Sequence, residues 1–79
     1  MRLDKFLKVS RIIKRRTVAN EACDAGRVLV NGKTAKASVK VNQGDIIEVM
    51  FGTNTVKVEV LDTKETSKKE EAKELFRYL

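Results

Sequence analysis

Seventy-nine residues and 8.9 kDa allow one domain, and area scaling has so short a chain hiding only about 60–65% of its unfolded surface. A composition 42% hydrophobic and 35% charged, with four glycines and no proline, describes a globular fold and argues against disorder or a collagen-like repeat. One cysteine and no histidine exclude an internal disulfide, Cys/His metal centres and histidine-based catalysis, so neither a cofactor nor a catalytic residue is expected.

The formal charge of +6 is not spread over the chain. The first 16 residues hold seven basic side chains, Arg2, Lys5, Lys8, Arg11, Lys14, Arg15 and Arg16, against the single acid Asp4, while the remainder is neutral. A basic block on a neutral body is a docking face for an anionic partner. No apolar run approaches the roughly 18 residues of a membrane span, and the opening residues lack the apolar core of a secretion signal. A cytoplasmic protein is therefore expected, with no membrane partner.

Leu3, Phe6, Leu7 and Ile13 recur at helical spacing, with Arg2, Lys5 and Lys8 on the neighbouring face, which predicts a short amphipathic helix over 3–9. Continuing it would turn Arg11 onto the edge of the apolar stripe, so a turn is expected near residues 10–14. A second helix fits 16–25, with a stripe of small side chains at Val18, Ala19, Ala22 and Cys23 and with Gly26 closing it. Arg15 and Arg16 then stand at its N-terminus, where unpaired N–H groups and the positive dipole end favour phosphate. Cys23 is expected to be a small core residue.

Beyond Gly26 the period changes to alternation. Val28 and Val30 point one way, and Asn31-Gly32 is the signature of a two-residue hairpin turn, with Lys33 just past its tip. Val39 and Val41 continue the alternation. After the Gln43-Gly44-Asp45 turn, the apolar run Ile46 to Phe51 predicts a strand buried on both faces, and Gly52-Thr53-Asn54 turns into a half-buried strand over Thr55 to Leu61. The last segment has balanced charge, and Ser67 with Glu70 matches a capping box before Ala72, Leu75, Phe76 and Leu79, which predicts a terminal amphipathic helix. The expected architecture is α+β: two short N-terminal helices on a small, mostly antiparallel sheet over 1–61, with a C-terminal helical extension over 62–79.

Nucleic acid fits the basic block best. Single strands are usually gripped on aromatic platforms, and of the few aromatics Phe6 falls on the apolar stripe and Phe51 in the strand expected to be buried. The second helix carries Glu21 and Asp24, which suits a major-groove recognition helix poorly and leaves folded RNA met through its phosphates. Arg2, Lys5, Lys8, Arg11, Lys14, Arg15 and Arg16 are the candidate contacts, with Lys33 beside them. Asp4, an acid inside the block, is expected to pair with and orient Arg16 or Arg11.

The residues Arg2-Leu3-Asp4-Lys5-x-Leu7, Arg11, Arg16, Ala19, Gly26, Val28-x-Val30-Asn31-Gly32 and Gly44-Asp45 resemble the RNA-binding domain of the ribosomal protein S-four type, also called the alpha-L motif. The match spans residues 1 to about 51. The Arg-Leu-Asp-Lys start, the Ile13 to Thr17 segment and the Lys/Glu-rich tail are similar to free-standing bacterial members that act in ribosome-associated quality control and are related to heat-shock protein fifteen. The resemblance implies a fold in which the first two helices face RNA, and it passes that role to Arg2, Asp4, Lys5, Arg11 and Arg16. It also implies a non-catalytic, ribosome-associated factor that binds rRNA and peptidyl-tRNA on split, obstructed large subunits. Such a factor supports C-terminal alanine tailing beside a quality-control tailing factor, and a monomer is expected. The alternative within the family is subunit recycling of the heat-shock protein fifteen kind. One departure stands at Arg15, where the family often has a serine that caps the second helix; here a side-chain cap is lost and a cation gained.

Overall fold

The computed structural model describes residues 1–65 and 68–79 of the chain. Helix α1 (Leu3–Val9) and helix α2 (Arg16–Asp24) form where the apolar spacing predicts them. Leu3, Phe6 and Leu7 are fully buried, so the i, i+3, i+4 pattern is the packing face of α1. On α2 the buried positions are Ala19 and Cys23. Val18, expected on that stripe, is 46% exposed, because a residue one step before Ala19 lies about 100° round the helix. The chain between the helices turns as predicted: Ser10 caps α1, Arg11 takes φ +62°, and Ile13 drops back into the core.

Gly26 takes φ +74° just past α2 and releases the chain into strand β1 (Val28–Val30). Asn31 and Gly32 both have positive φ, +53° and +83°, and reverse the chain into strand β2 (Lys33–Thr34). The turn is clamped from outside. Asn31 Oδ1 accepts the Ile46 N–H at 3.0 Å, and Asn31 Nδ2 donates to Asp45 at 3.1 Å. Asp45, which the sequence places in a turn, also accepts the Asn42 N–H at 2.8 Å.

The alternation at Val39 and Val41 does not become a strand. Residues 35–41 instead run past the start of α1, where Leu3 N–H donates to the Val39 carbonyl at 2.8 Å and Arg2 forms an isolated antiparallel bridge with Lys40. Ala37 and Val41 are buried beneath this crossing.

Strands β3 (Ile46–Phe51), β4 (Asn54–Val60) and β5 (Phe76–Tyr78) complete an antiparallel sheet of order β2-β1-β3-β4-β5. The registers Val28 to Val49 to Val56 and Val30 to Ile47 to Val58 put one face of the sheet into the core with Leu3, Phe6 and Leu7. The other face carries Glu48 opposite Lys57 and Glu59 opposite Arg77. Strand β3 is therefore buried on one face, not two, and its end leaves the core: Phe51, expected to be buried, is 42% exposed.

The C-terminal segment departs most from expectation. Its helix, α3 (Lys69–Ala72), is a single turn, and the residues after it form β5 in place of a helix running to Leu79. The free edge of β4 decides this. A helix would leave that edge unpaired, whereas an extended chain fills it and sets Phe76 and Tyr78 opposite Val60 and Val58. Leu75, fully buried, is held by its carbonyl accepting the Leu61 N–H at 2.8 Å. The expected capping residue Ser67 lies outside the described residues, and Lys68 at the N-cap makes no side-chain cap.

Candidate nucleic-acid interface

The basic block folds around one carboxylate. Arg2 precedes α1 in an extended conformation, so its side chain folds back and its Nε lies 3.2 Å from Asp4 Oδ1. Asp4, in the first turn of α1, also accepts its neighbour's Lys5 N–H at 2.8 Å, one of the amides that a helix start leaves without an internal partner. From α2, Arg16 Nε approaches Asp4 Oδ2 to 3.3 Å and Asn20 Nδ2 donates to the same oxygen at 3.4 Å. Arg16 and Asn20 are one helical turn apart, so a single face of α2 meets the carboxylate.

Asp4 is only 2% exposed. Its burial raises the carboxyl pKa, but the hydrogen bonds from Arg16, Asn20 and the Lys5 amide, with the Arg16 charge, outweigh burial and hold it below its ordinary value. A buried anion so satisfied ties the two helices together, and among the described residues no buried side-chain nitrogen or oxygen lacks a partner. About half of the Arg2 and Arg16 side chains remains exposed, 51% and 46%. Each guanidinium has five N–H donors, so both spend some on Asp4 and keep others for a ligand, in a plane the carboxylate fixes. An open groove of about 370 Å³ lies alongside, lined by Asp4, Arg16, Thr17, Asn20 and Glu21.

The other candidates are placed less uniformly. Lys5 is ion-paired with Glu65. Lys8, Arg11, Lys14 and Arg15 are exposed around the end of α1 and the turn into α2. Arg15 is the N-cap of α2 and makes no side-chain cap, as the missing serine predicts. Lys33 is exposed on edge strand β2, outside the Asp4 network. Of the two arginines expected to pair with Asp4, Arg16 does so.

Three contributions went unread in the sequence. Asn20 was legible in principle, being four residues after Arg16 on the same face. Arg2 as a partner of Asp4 was not, because two residues apart on a helix do not face each other and only the extended backbone of Arg2 brings them together. Lys40 had no local signal: its bridge to Arg2 sets an exposed lysine beside the cluster from 38 positions away. The exposed aromatics, Phe51 and Tyr78, stand on the sheet and not on the helices. Among the described residues no three His, Cys, Asp or Glu side chains converge on a metal-sized site.

Comparison with known proteins identifies the family and the fold. The model of the S4 domain matches residues 1–47, which hold both helices, the hairpin and the start of β3. The chain is 57% identical over 76 residues to an RQC P-site tRNA stabilizing factor of Halalkalibacterium halodurans, covering 96% of this chain and 86% of that one. It is 56% identical to the factor of the same name from Bacillus subtilis over 79 residues, covering 100% of this chain and 92% of that one. Among solved structures, the trimeric heat shock protein 15 of Vibrio cholerae superposes with a TM-score of 0.92 at 30% identity, covering 100% of this chain and 81% of the other.

Proposed function

The chain belongs to the S4 domain family, and from that premise we propose that it is a non-catalytic RNA-binding factor of ribosome-associated quality control that steadies a tRNA on the ribosome. The observation that carries this reading is the pair Arg2 and Arg16, drawn from two elements onto one buried carboxylate, in a chain whose relatives are RQC P-site tRNA stabilizing factors. Two guanidinium groups fixed in orientation meet phosphate oxygens with little loss of side-chain freedom, which is how a rigid helix pair selects one RNA geometry without touching base edges. The exposed cations at the end of α1 and the uncapped start of α2 extend the surface, so that one end of the helix pair meets rRNA and the other a peptidyl-tRNA. Its site is the obstructed large subunit after splitting, where holding the tRNA supports alanine tailing by a partner factor. No bond is made or broken by this chain.

The test is cross-linking of the protein to RNA in cells, with the linked nucleotides mapped, beside the Arg16→Glu variant. Sites in large-subunit rRNA and in tRNA, lost on charge reversal, are expected. Sites confined to messenger RNA, or subunit binding unchanged by Arg16→Glu, overturn the reading. A second reading, subunit recycling without tailing, is favoured by the full-length superposition on heat shock protein 15. The two separate on one measurement: loss of the protein abolishes alanine tails in the first and leaves them intact in the second.

A further inference from the structure

Lys5 is held at both ends. Its backbone N–H donates to Asp4 at 2.8 Å, inside the network that orients Arg2 and Arg16, while its ammonium is ion-paired with Glu65, 60 residues further along the chain. Glu65 belongs to the stretch between β4 and α3, outside any helix or strand, and its side chain is 70% exposed. An anionic oxygen from the C-terminal segment thus occupies the ammonium of a residue adjacent to the arginine cluster. Carboxylate and phosphate offer an ammonium the same contact, an anionic oxygen accepting N–H bonds, so a phosphate arriving at Lys5 meets a charge already neutralised, a donor already spent and a like charge beside it. The hydrogen bond and charge of Lys5 hold the Glu65 carboxyl below its ordinary value, the direction a carboxylate takes when paired with a cation.

We propose that Glu65 is an intramolecular competitor of RNA at Lys5, lowering the affinity of the helix-pair face for any RNA that places a phosphate there. The inference rests on the reading that this face binds RNA. An exposed ion pair is weak and salt-screened, so it is displaced when Arg2 and Arg16 are also engaged. An RNA that can offer only one or two phosphates meets a face on which Lys5 is already neutralised.

The experiment measures binding of the full chain to fluorescently labelled, unfractionated bacterial tRNA by anisotropy, at low and at high monovalent salt. Glu65→Gln is expected to bind about two- to fivefold more tightly at low salt, the range that an exposed ion pair corresponds to, with the gain shrinking as salt rises. Glu74→Gln controls for net charge, because Glu74 pairs with Lys64 at 3.3 Å inside the C-terminal segment, and it is expected to produce a smaller gain. In a Lys5→Gln background the Glu65→Gln gain is expected to fall to that of Glu74→Gln. A gain no larger than that of Glu74→Gln, or one that persists undiminished without Lys5, overturns the proposal while leaving RNA binding by the face intact. If Arg16→Gln leaves tRNA binding unchanged, the reading of the face itself fails and the competition with it.

Discussion

Asp4 of α1 accepts a hydrogen bond from Nη2 of Arg16, the first residue of α2, at 3.4 Å, and its other carboxylate oxygen is ion-paired with Arg16 Nε at 3.3 Å. One acid thereby joins the helices and aims a cation. Replacing it with asparagine keeps the size but removes the charge and inverts part of the hydrogen bonding, so Asp4→Asn is expected to cost about 1–3 kcal/mol of stability, measured by urea denaturation. Because the folded carboxyl is held below its ordinary value, its contribution is complete at neutral pH and is lost as pH falls through the folded pKa. The stability gap between wild type and Asp4→Asn therefore closes in acid, below about pH 4. A gap that stays constant to low pH would show that the charge contributes nothing.

Arg11 tests whether the turn between the helices is built for its cation. A non-glycine residue at φ +62° is held in a conformation that costs roughly 1 kcal/mol, and glycine adopts it without strain. Arg11→Gly removes that strain together with the contacts of the side chain, and stability is expected to stay within about 1 kcal/mol of wild type. RNA affinity is expected to fall, with the salt dependence shallower by about one phosphate contact. Unchanged affinity in a folded variant would reduce Arg11 to a turn residue.

The parts of the fold that could be read in the sequence are those set by local chemistry. The apolar spacing of Leu3, Phe6 and Leu7, the left-handed Gly26 and the Asn31-Gly32 pair each act within a few residues, and each stands where expected. What escaped depends on contacts between distant segments. Phe76-Arg77-Tyr78 alternates in polarity, yet with Ala72 and Leu75 it also shows helical spacing; the open edge of β4 chooses between the two, and no local feature announces it. Phe51 continues an apolar run, but the helices cover only part of one sheet face and leave its end in solvent. The site divides the same way: the cationic block was visible as composition, whereas the folding back of Arg2 and the arrival of Lys40 depend on backbone geometry.

Leu75 measures how far the C-terminal segment belongs to the core. It is fully buried, packed in the same cluster as Val58 and Val60, and joined to Leu61 through its carbonyl. Leu75→Ala is expected to cost about 2–4 kcal/mol in chemical denaturation, the usual result of emptying a leucine-sized site. A loss under about 0.5 kcal/mol, the scale of an exposed position, would mean that β5 is an appendage and the sheet ends at β4.

Cys23 lies on the buried stripe of α2, and its thiol is pushed up to about 11, first by burial and then by the negative charges of Asp4 and Asp24. The thiolate is the reactive form, so native protein is expected to resist thiol-specific alkylation at neutral pH and to react only when unfolded by denaturant. The sign of the coupling follows. In the unfolded chain the thiol ionises near its ordinary value of about 8.5, while the folded chain keeps its proton to about 11, so above the lower value the unfolded state binds fewer protons and is favoured. Stability is therefore unaffected by this group below about pH 8 and declines through the interval up to the folded pKa. Cys23→Ala removes the titrating group, and its denaturation midpoint is expected to fall less steeply over that interval than that of wild type. Equal slopes, or rapid alkylation of the native protein, would place the thiol in solvent and not in the helix-pair core.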